Sequence, residues 1–380
     1  MEKYDVVIAG YTCVDLIPEF KKNTSYTSIS NIFIPGRLIE IDRVSFVLGG
    51  VVANTGLALK KFNRKVYLNG LVGNDVVGKM AKEWLEEYNI SEGIQTTEIA
   101  GTAISIVIAP PGVDRIFLES SGCNQIFDTS FIKFDIISQS RIFHFGYPPL
   151  LTQFLLHSGS QLAEMFSSIQ KMGVVTSLDF SIIDPQSESG KINWPEVMKK
   201  ILPNIDIFVP SLEEVLQIMT PLKYAEFQDS FKNGELINEV PVSLIKEIGK
   251  LIIDSGVKIL LIKAGERGAF LITGDVSSIN ENTAINLQIE SWNFREFWCK
   301  AYSVDETKTI NSNGAGDTAV AAFLSAILDG HCAESALKYA ALAGRNNLYC
   351  QNIFTDLSDW QEMTKEIELS SVEVVCLEAI

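Results

Sequence analysis

The sequence predicts an α/β fold, with a mainly parallel central sheet flanked by helices and a small antiparallel β lid. Three observations lead to this prediction. Short apolar runs alternate with stretches of helical periodicity, two segments break the alternation with short paired strands, and a Gly-rich turn precedes an apolar helix near the carboxyl end. We find no internal repeat or linker, so residues 1–380 are expected to form a single domain.

The composition excludes some classes of protein and favours others. With 47% hydrophobic and 21% charged residues, the chain can bury a large core. A formal net charge of −16 argues against nucleic acid or membrane partners and favours a small-molecule ligand. Six scattered cysteines and three histidines predict reduced thiols and no zinc site. The sequence lacks a signal-peptide pattern and an apolar run of membrane-spanning length, so we expect a cytoplasmic location.

Apolar runs of strand length predict the central sheet. They lie at residues 5–10, 66–73, 174–180, 205–211 and 258–265. Helical patterns at residues 51–62 and 75–88 follow the first two runs, as in a parallel sheet covered by helices.

Two segments, residues 11–48 and 97–122, are predicted to form the lid. The second contains two strand-like runs around a Pro-Pro-Gly turn. A third departure from the alternation, residues 274–309, is long for a connection and rich in aromatic residues. We expect a surface hairpin or an additional lid there.

The most informative stretch is "NSNGAGDTAVAAFLSAI", residues 311–327. Gly314 and Gly316 leave backbone N–H groups uncovered at the start of a helix, where the helix dipole favours an anion. Asp317 would repel a phosphate there, unless it takes a proton from the group that attacks the phosphate. The alternative is that Asp317 is an N-cap and the glycines form a tight turn.

Other motifs are less specific. Gly49 and Gly50 precede a helix that carries Asn54. The paired glycines would allow the backbone to approach a ligand closely, or they form a plain turn into the helix. Asp15 follows the first strand and is either functional or simply solvated. Ser211 and Glu214 match a capping box or, alternatively, a magnesium site that uses Glu214.

"KAGERGAF", residues 263–270, is predicted to be a strand-to-strand turn that could lie under a nucleotide. The chain contains no GxxxxGK[ST] motif, which excludes a P-loop, and no GxGxxG after its first strand. His144 is expected to pack at a strand end.

In this order, the motifs resemble the ribokinase-like (PfkB) family of carbohydrate and nucleoside kinases. The resemblance runs from "GYTCVDL" through "GGVVANTGLAL", "VPSLEE" and "KAGERGAF" to "NSNGAGDTAVAAFL". It implies an ATP-dependent sugar kinase with Mg²⁺, whose phosphoryl acceptor is a small sugar or polyol held between lid and sheet. It also implies a homodimer through the lid as one assembly. A nucleoside kinase, or a non-catalytic ligand-binding protein on this fold, is the alternative.

The resemblance also assigns roles to residues. Asp317 would be the catalytic base, and the amides of Gly314, Ala315 and Gly316 the anion hole. Asp15, Gly49, Gly50 and Asn54 would bind the acceptor, Lys263, Gly265 and Gly268 the nucleotide, and Glu214 the magnesium ion. Arg115 and Asn124, near the lid, are further candidates for acceptor contact.

The chain departs from the family pattern at three places. Ser211 stands where the NxxE motif has Asn, which changes the expected surroundings of magnesium. Asn311 stands where the family has an Asp of a monovalent-cation site, so potassium activation is not carried over. The stretch after Asp179 lacks the Arg of fructokinase-like members.

Overall fold

The computed structural model describes residues 3–21, 26, 28–111, 116–230, 236–305, 307–308 and 311–377. Within this part of the chain, the strands are β1 (Tyr4–Gly10), β2 (Cys13–Phe20), β3 (Ile41–Gly49), β4 (Val66–Gly73), β5 (Ile94–Thr97), β6 (Ile104–Ile108), β7 (Ile116–Ser120), β8 (Ser140–Gly146), β9 (Val175–Leu178), β10 (Ile207–Phe208), β11 (Ile259–Lys263), β12 (Ala269–Thr273), β13 (Glu296–Cys299) and β14 (Val374–Cys376).

The helices are α1 (Gly50–Lys61), α2 (Val76–Glu87), α3 (Phe134–Ile137), α4 (Thr152–Gln170), α5 (Trp194–Ile201), α6 (Leu212–Met219), α7 (Pro221–Ser230), α8 (Leu236–Glu239), α9 (Val242–Asp254), α10 (Ser277–Asn282), α11 (Ile289–Trp292), α12 (Ala315–Leu328), α13 (Ala333–Asn347), α14 (Ile353–Asp356) and α15 (Trp360–Leu369). The predicted strands and helices are therefore present, with strand ends shifted by up to a few residues.

The central sheet is mainly parallel, as predicted. Its described strands run in the order β14-β13-β12-β11-β10-β9-β8-β1-β4-β5. The pairs from β11 through β10, β9, β8, β1 and β4 to β5 are parallel, whereas β12, β13 and β14 add antiparallel pairs at one edge. The carboxyl ends of the parallel strands thus meet at one edge of the sheet, where open α/β sheets bind ligands.

Helices cover both faces of the sheet because its central strands are apolar on both sides. In β1, Val6 and Ile8 pack into the core that contains α1, α12 and α13, while Val7 and Ala9 pack into the core that contains α4, α5 and α9. No helix among the described residues is both long and apolar enough to cross a membrane.

The lid is a second, four-stranded sheet in the order β3-β2-β6-β7. Two of its pairs are antiparallel as predicted, but β2 and β6 run parallel. Side chains alternate between its faces. The register places one cross-strand row on each face: Val47, Asp15, Ser105 and Glu119 on one, and Phe46, Leu16, Ile106 and Leu118 on the other.

The expectation of a surface hairpin or extra lid at residues 274–309 is wrong. This segment contains α10, α11 and β13, and β13 pairs with β12 in the central sheet. Trp292 is fully buried, its indole N–H donates to the carbonyl of His331 at 3.0 Å, and its ring packs edge-on against Phe323. Trp292 and Phe297 of this segment therefore extend the core instead of covering a ligand.

Candidate active site

Polar side chains converge at the carboxyl edge of the central sheet. Tyr147 follows β8, Asp179 follows β9, and Lys263 ends β11. The amino-terminal turn of α12 brings Asp317 to the same place. Because all of these strands are parallel, these residues lie at one edge although they are far apart in the sequence.

The Asp317 carboxylate is buried and held by three side chains. Asn54 Nδ2 donates to Oδ2 at 3.0 Å, and Thr55 Oγ1 donates to Oδ1 at 3.3 Å, both from α1. The hydroxyl of Tyr147 lies 2.8 Å from each carboxylate oxygen. These contacts fix the orientation of the carboxylate. Asp317 lies in the first turn of α12, whose N-cap is Gly314, so the alternative that Asp317 is the N-cap is wrong.

The surroundings of Asp317 have opposing effects on its pKa. Burial raises its pKa above the ordinary range, while the nearby Lys263 ammonium and the hydrogen bonds from Asn54, Tyr147 and Thr55 oppose that rise. Burial and the adjacent carboxylate also raise the pKa of Tyr147 well above its usual value, so its hydroxyl remains a donor. A buried carboxylate with a raised pKa is suited to accept a proton.

The prediction of an anion site depends on the geometry at the start of α12. Gly314 is its N-cap in the left-handed region (φ 74°), and α12 begins at Ala315. The first N–H groups of a helix have no intrahelical partner. The N–H of Ala315 makes a long contact of 3.4 Å with the carbonyl of Ser312. The N–H groups of Gly316 and Asp317 are therefore best placed to bind an anion.

On the lid side, Asp15 is buried and linked to the same loop. Asn313 Nδ2 donates to Asp15 Oδ2 at 2.8 Å, and the thiol of Cys13 donates to Oδ1 at 3.3 Å. Burial raises the pKa of Asp15, an effect opposed by the Asn313 hydrogen bond. A Cβ atom on Gly49 would lie 2.3 Å from Asp15 Oδ1, so the packing of this carboxylate requires glycine at that position.

Gly50 has a different requirement. Its φ of +78° lies in the left-handed region, and an added Cβ would be 2.5 Å from the carbonyl oxygen of Tyr11. The paired glycines therefore allow α1 to begin close to β1 and the lid. This position brings Asn54, one turn into α1, to the carboxylate of Asp317.

Lys263 forms a buried ion pair with Asp179. Its Nζ lies 2.7 Å from Asp179 Oδ1, and both side chains are largely or fully buried. The same ammonium is 3.5 Å from the position that a Cβ on Gly316 would take. Lys263 was predicted to lie at a nucleotide turn, and its side chain in fact reaches the amino terminus of α12.

Ser211 and Glu214 form the predicted capping box of α6. The Ser211 hydroxyl accepts from the Glu214 N–H at 3.2 Å, and Glu214 Oε2 accepts from the Ser211 N–H at 2.7 Å. The other carboxylate oxygen of Glu214 accepts no hydrogen bond from the described residues. The structural role of Glu214 thus leaves one oxygen open to a ligand.

The two glycines of the β11–β12 turn differ from each other. A side chain at Gly265 (φ +52°) would meet nothing within 4 Å, so open space lies above it. A Cβ on Gly268 would lie 2.0 Å from the carbonyl oxygen of Cys299, which follows from the packing of β12 against β13. The open space over Gly265 leaves room for a ligand, whereas Gly268 is explained by packing.

Four residues of the site were not predicted from the sequence: Thr55, Tyr147, Asp179 and Asn313. Asn313 lies inside the most informative motif, and Asp179 lies near the carboxyl end of the predicted run 174–180, so both carried a signal. Tyr147 adopts a left-handed backbone conformation (φ 63°), which is rare for tyrosine and has no counterpart in the sequence pattern.

Two other candidates, Asn124 and His144, contribute less. Asn124 is buried, and both atoms of its amide bond the backbone of Thr12, at 3.3 and 2.9 Å. His144 is buried and bonds Ser177 at 2.8 Å, and burial together with the Lys263 charge lowers its pKa to about 3, so it packs as a neutral residue. Arg115 lies outside the described residues.

This arrangement places an oriented carboxylate next to uncovered helix amides and one buried ammonium. The carboxylate can accept a proton, while the amides and the ammonium can stabilise negative charge on an anion. Asp15 adds an acceptor of hydrogen bonds on the lid side. Proton removal from a hydroxyl and transfer of an anionic group to it can therefore take place at one point.

Comparison with known proteins supports the same class of chemistry. The profile of the pfkB family carbohydrate kinases matches residues 3–353. The chain is 26% identical to probable fructokinase-6, chloroplastic, of Arabidopsis thaliana over 171 residues, a match that covers 44% of each chain and thus less than half of that relative. It is 22% identical to fructokinase-2 of Oryza sativa subsp. japonica over 280 residues, which cover 73% of this chain and 69% of the relative.

Solved structures share the fold at low sequence identity. Ribokinase of Arabidopsis thaliana, solved with ribose and ATP, superposes with a TM-score of 0.68 at 17% identity, over 97% of this chain and 99% of that one. A putative ribokinase II of E. coli, solved with ATP and Mg²⁺, superposes with a TM-score of 0.68 at 18% identity. The superposition covers 97% of this chain and 100% of that one. At such identities the likeness extends to the fold: a large, mostly parallel sheet with helices and a small lid sheet.

Proposed function

The chain belongs to the pfkB family of carbohydrate kinases, and on that premise we propose that it is an ATP-dependent sugar kinase. It transfers the γ-phosphoryl group of ATP to a hydroxyl of a small carbohydrate. The observation that carries the proposal is the Asp317 carboxylate, which three side chains orient beside the amino terminus of α12. A base and an anion site at one point are what phosphoryl transfer to a hydroxyl requires.

In the proposed reaction, Asp317 takes the proton of the acceptor hydroxyl. The hydroxyl oxygen forms a bond to the γ-phosphorus, the bond from that phosphorus to the bridging oxygen breaks, and the bridging oxygen leaves on ADP with its electron pair. The amides of Gly314, Ala315 and Gly316 stabilise the charge on the transferring group. Of these, Ala315 also contacts the carbonyl of Ser312 and has to exchange that contact for the phosphoryl oxygen.

The acceptor is proposed to bind through Asp15, Gly49, Gly50 and Asn54. The carboxylate of Asp15 accepts hydrogen bonds from sugar hydroxyls, and the glycines allow close backbone approach. A cavity of about 310 Å³ adjoins Asn54 and Asn313, and its described lining residues include neither Lys nor Arg. An acceptor that extends from Asn54 into this cavity meets no basic side chain among the described lining residues. This favours a neutral acceptor over a phosphorylated one, because a second phosphate requires basic partners.

Replacement of Gly49 by Ala should impair acceptor binding. Its new methyl group would lie 2.3 Å from Asp15 Oδ1 and displace that carboxylate. Loss of one charged hydrogen bond predicts a rise of about 10- to 100-fold in KM for the acceptor, with KM for ATP little changed. Val44→Ala, in the same strand but with a side chain that is 40% exposed, is the control. Equal acceptor KM values in the two variants would contradict the assignment.

ATP is proposed to lie over the turn that contains Gly265, with Lys263 directed toward its phosphates and Gly268 keeping the turn packed. Magnesium fits the residues present, because Glu214 retains one carboxylate oxygen free of hydrogen bonds from the described residues. Mg²⁺ is usually held by one or two carboxylates, waters and substrate phosphates. Bound there, it would neutralise charge on the phosphates, and Glu214 would hold it directly or through water.

Removal of the Tyr147 hydroxyl should shift the pH profile. Burial raises the pKa of Asp317 and the Tyr147 hydrogen bond opposes that rise, so Tyr147→Phe raises the pKa further. Because the base must be ionised, activity is lost as the pH falls through this pKa. The acidic limb of the kcat/KM profile should therefore move to higher pH. Tyr339→Phe, whose hydroxyl bonds the remote Thr364, should leave the limb in place. An unmoved limb in Tyr147→Phe would contradict the role of this hydroxyl.

The proposal is tested by magnesium-dependent ADP release from ATP with ketoses, aldoses, sugar acids, polyols and nucleosides as acceptors. Turnover that depends on a sugar supports the proposal. Turnover confined to nucleosides would replace it with a nucleoside kinase. Binding of a sugar or ATP without turnover would favour a non-catalytic ligand-binding protein on this fold.

We also propose that the lid mediates a homodimer. The row formed by Phe46, Leu16, Ile106 and Leu118 lies on the lid face opposite Asp15, and Phe46 and Leu118 are 47% and 52% exposed. Such an apolar row is suited to a second copy of the same sheet. Analytical ultracentrifugation of the chain tests this assignment, and a monomer at micromolar concentration would contradict it.

A further inference from the structure

The Lys263–Asp179 pair has more hydrogen-bonding capacity than the described residues use. An ammonium carries three N–H donors, and among the described residues Asp179 is the hydrogen-bond acceptor for Lys263 Nζ. The second oxygen of Asp179, Oδ2, is buried and has no partner in the described part of the chain. A purely structural buried ion pair is stable only when its remaining donors and acceptors are satisfied. The pair is therefore incomplete as a structural element.

The position of the free donors indicates what completes it. Lys263 Nζ lies beside Gly316, 3.5 Å from the point that a Cβ there would take, so its donors are next to the helix amides that are proposed to hold the transferring group. The side chain leaves β11 at its carboxyl end and remains largely buried. Because water screens charges, a solvent-exposed lysine would attract a phosphoryl group less strongly than this buried one.

Carboxylates keep this lysine charged. Burial by itself would lower the pKa of Lys263, but attraction to Asp179 and Glu214, and to a smaller extent Asp317, outweighs burial and raises it. The ammonium is thus present before any substrate arrives, whereas burial raises the pKa of its partner Asp179 to about 7. A phosphoryl group that enters the site competes with these carboxylates for the same donors.

We propose that Lys263 is a catalytic residue whose ammonium binds the transferring phosphoryl group, in addition to the amides of α12. This inference rests on the proposed kinase function and deepens it. In the resting enzyme Asp179 holds the ammonium 2.7 Å away, and during transfer the free N–H groups donate to the equatorial phosphoryl oxygens. Lys263 keeps its protons throughout, and the hydroxyl proton goes to Asp317. The ammonium acts in the transition state, because the equatorial oxygens adopt the arrangement that its free N–H groups face only while the phosphoryl group passes to the acceptor.

The experiment compares Lys263→Met with the wild type and with Lys258→Met. Lys258 precedes the same strand at its opposite end, where its Nζ bonds the carbonyl of Gly256. We expect Lys263→Met to lower kcat by about 100- to 1,000-fold while KM for ATP and for the sugar changes by no more than about threefold. Binding of ADP with aluminium fluoride and the sugar, which mimics the transition state, should weaken by a similar factor. Lys258→Met should stay within about twofold of the wild type.

Two results would overturn the inference while leaving the kinase intact. One is a Lys263→Met enzyme whose kcat is unchanged and whose KM for ATP rises, which makes Lys263 a simple nucleotide ligand. The other is normal binding of the aluminium fluoride complex by that variant. If Lys263→Met does not fold, because Asp179 is left buried without its partner, Asp179→Asn is compared with Asp179→Asn/Lys263→Met. Equal kcat in those two variants also overturns the inference. A wild type without turnover on any acceptor refutes the proposed function instead.

Discussion

Asp317→Asn is expected to lower kcat about 1,000-fold or more, with little change in the binding of ATP or sugar. General base catalysis contributes about 10²–10⁴-fold, and a loss of 1,000-fold corresponds to about 4 kcal/mol of transition-state stabilisation. The amide retains the shape of the carboxylate and can still accept from Asn54 and Tyr147, but it cannot take a proton. Initial rates across the acceptor panel, with single-turnover measurements for the variant, provide the test.

The stability of this variant separates lost chemistry from lost structure. Burial raises the pKa of Asp317 in the folded state, so folding disfavours the ionised form. The contribution of this group to stability is therefore greatest at low pH and is lost as the pH rises through the raised pKa. At neutral pH, Asp317→Asn should unfold at the same temperature as the wild type or at a higher one. Asp329→Asn, at the opposite end of α12, should keep its activity within about twofold. Retained activity in Asp317→Asn would exclude Asp317 as the base.

Trp292→Ala is expected to lower the free energy of unfolding by about 3–5 kcal/mol. Trp292 is fully buried, donates its indole N–H to the carbonyl of His331 at 3.0 Å, and packs against Phe323. Truncation removes a large apolar surface and leaves that carbonyl without its donor. Urea unfolding followed by circular dichroism provides the measurement.

Phe294→Ala is the matched control, because Phe294 belongs to the same segment but is 66% exposed. Its replacement should change the free energy of unfolding by no more than about 0.5 kcal/mol. If both variants lost the same small amount, the segment would be the surface hairpin or lid that its length first indicated. Since Phe323 lies in α12, loss of Trp292 should also loosen the helix that carries Asp317.

Sequence patterns predicted the elements whose apolar residues have a clear period. Residues 5–10 and 66–73 are continuous apolar runs because β1 and β4 are covered on both faces. The helix that includes Asp317 was evident from the spacing of its alanines, Phe323 and Ile327. Prediction failed for residues 274–309, where polar residues surround Trp292 and the alternation of β13 extends over only four residues. A strand that short is defined by its neighbour β12, which sequence periodicity does not contain.

The candidate site shows the same limit. Asp317 and the glycines before it could be predicted, because a glycine-rich turn at a helix start has a local physical meaning. The ion pair between Lys263 and Asp179 could not, since it joins the ends of β11 and β9 through the order of strands in the sheet. Tyr147 was equally hidden, because its hydroxyl reaches Asp317 from a backbone conformation that only tertiary packing selects.

The hydrogen bond from Asn54 to Asp317 joins residues separated by 263 positions in the chain. A ribosome adds about 5–20 residues per second, so roughly 15–50 s pass between the synthesis of these two residues. During that time, α1 and the adjacent lid strands have no Asp317 to receive the amide of Asn54 or the hydroxyl of Thr55. The candidate site can therefore assemble only after nearly the whole fold has been synthesised. The appearance of enzymatic turnover in a cell-free translation reaction would time that last step.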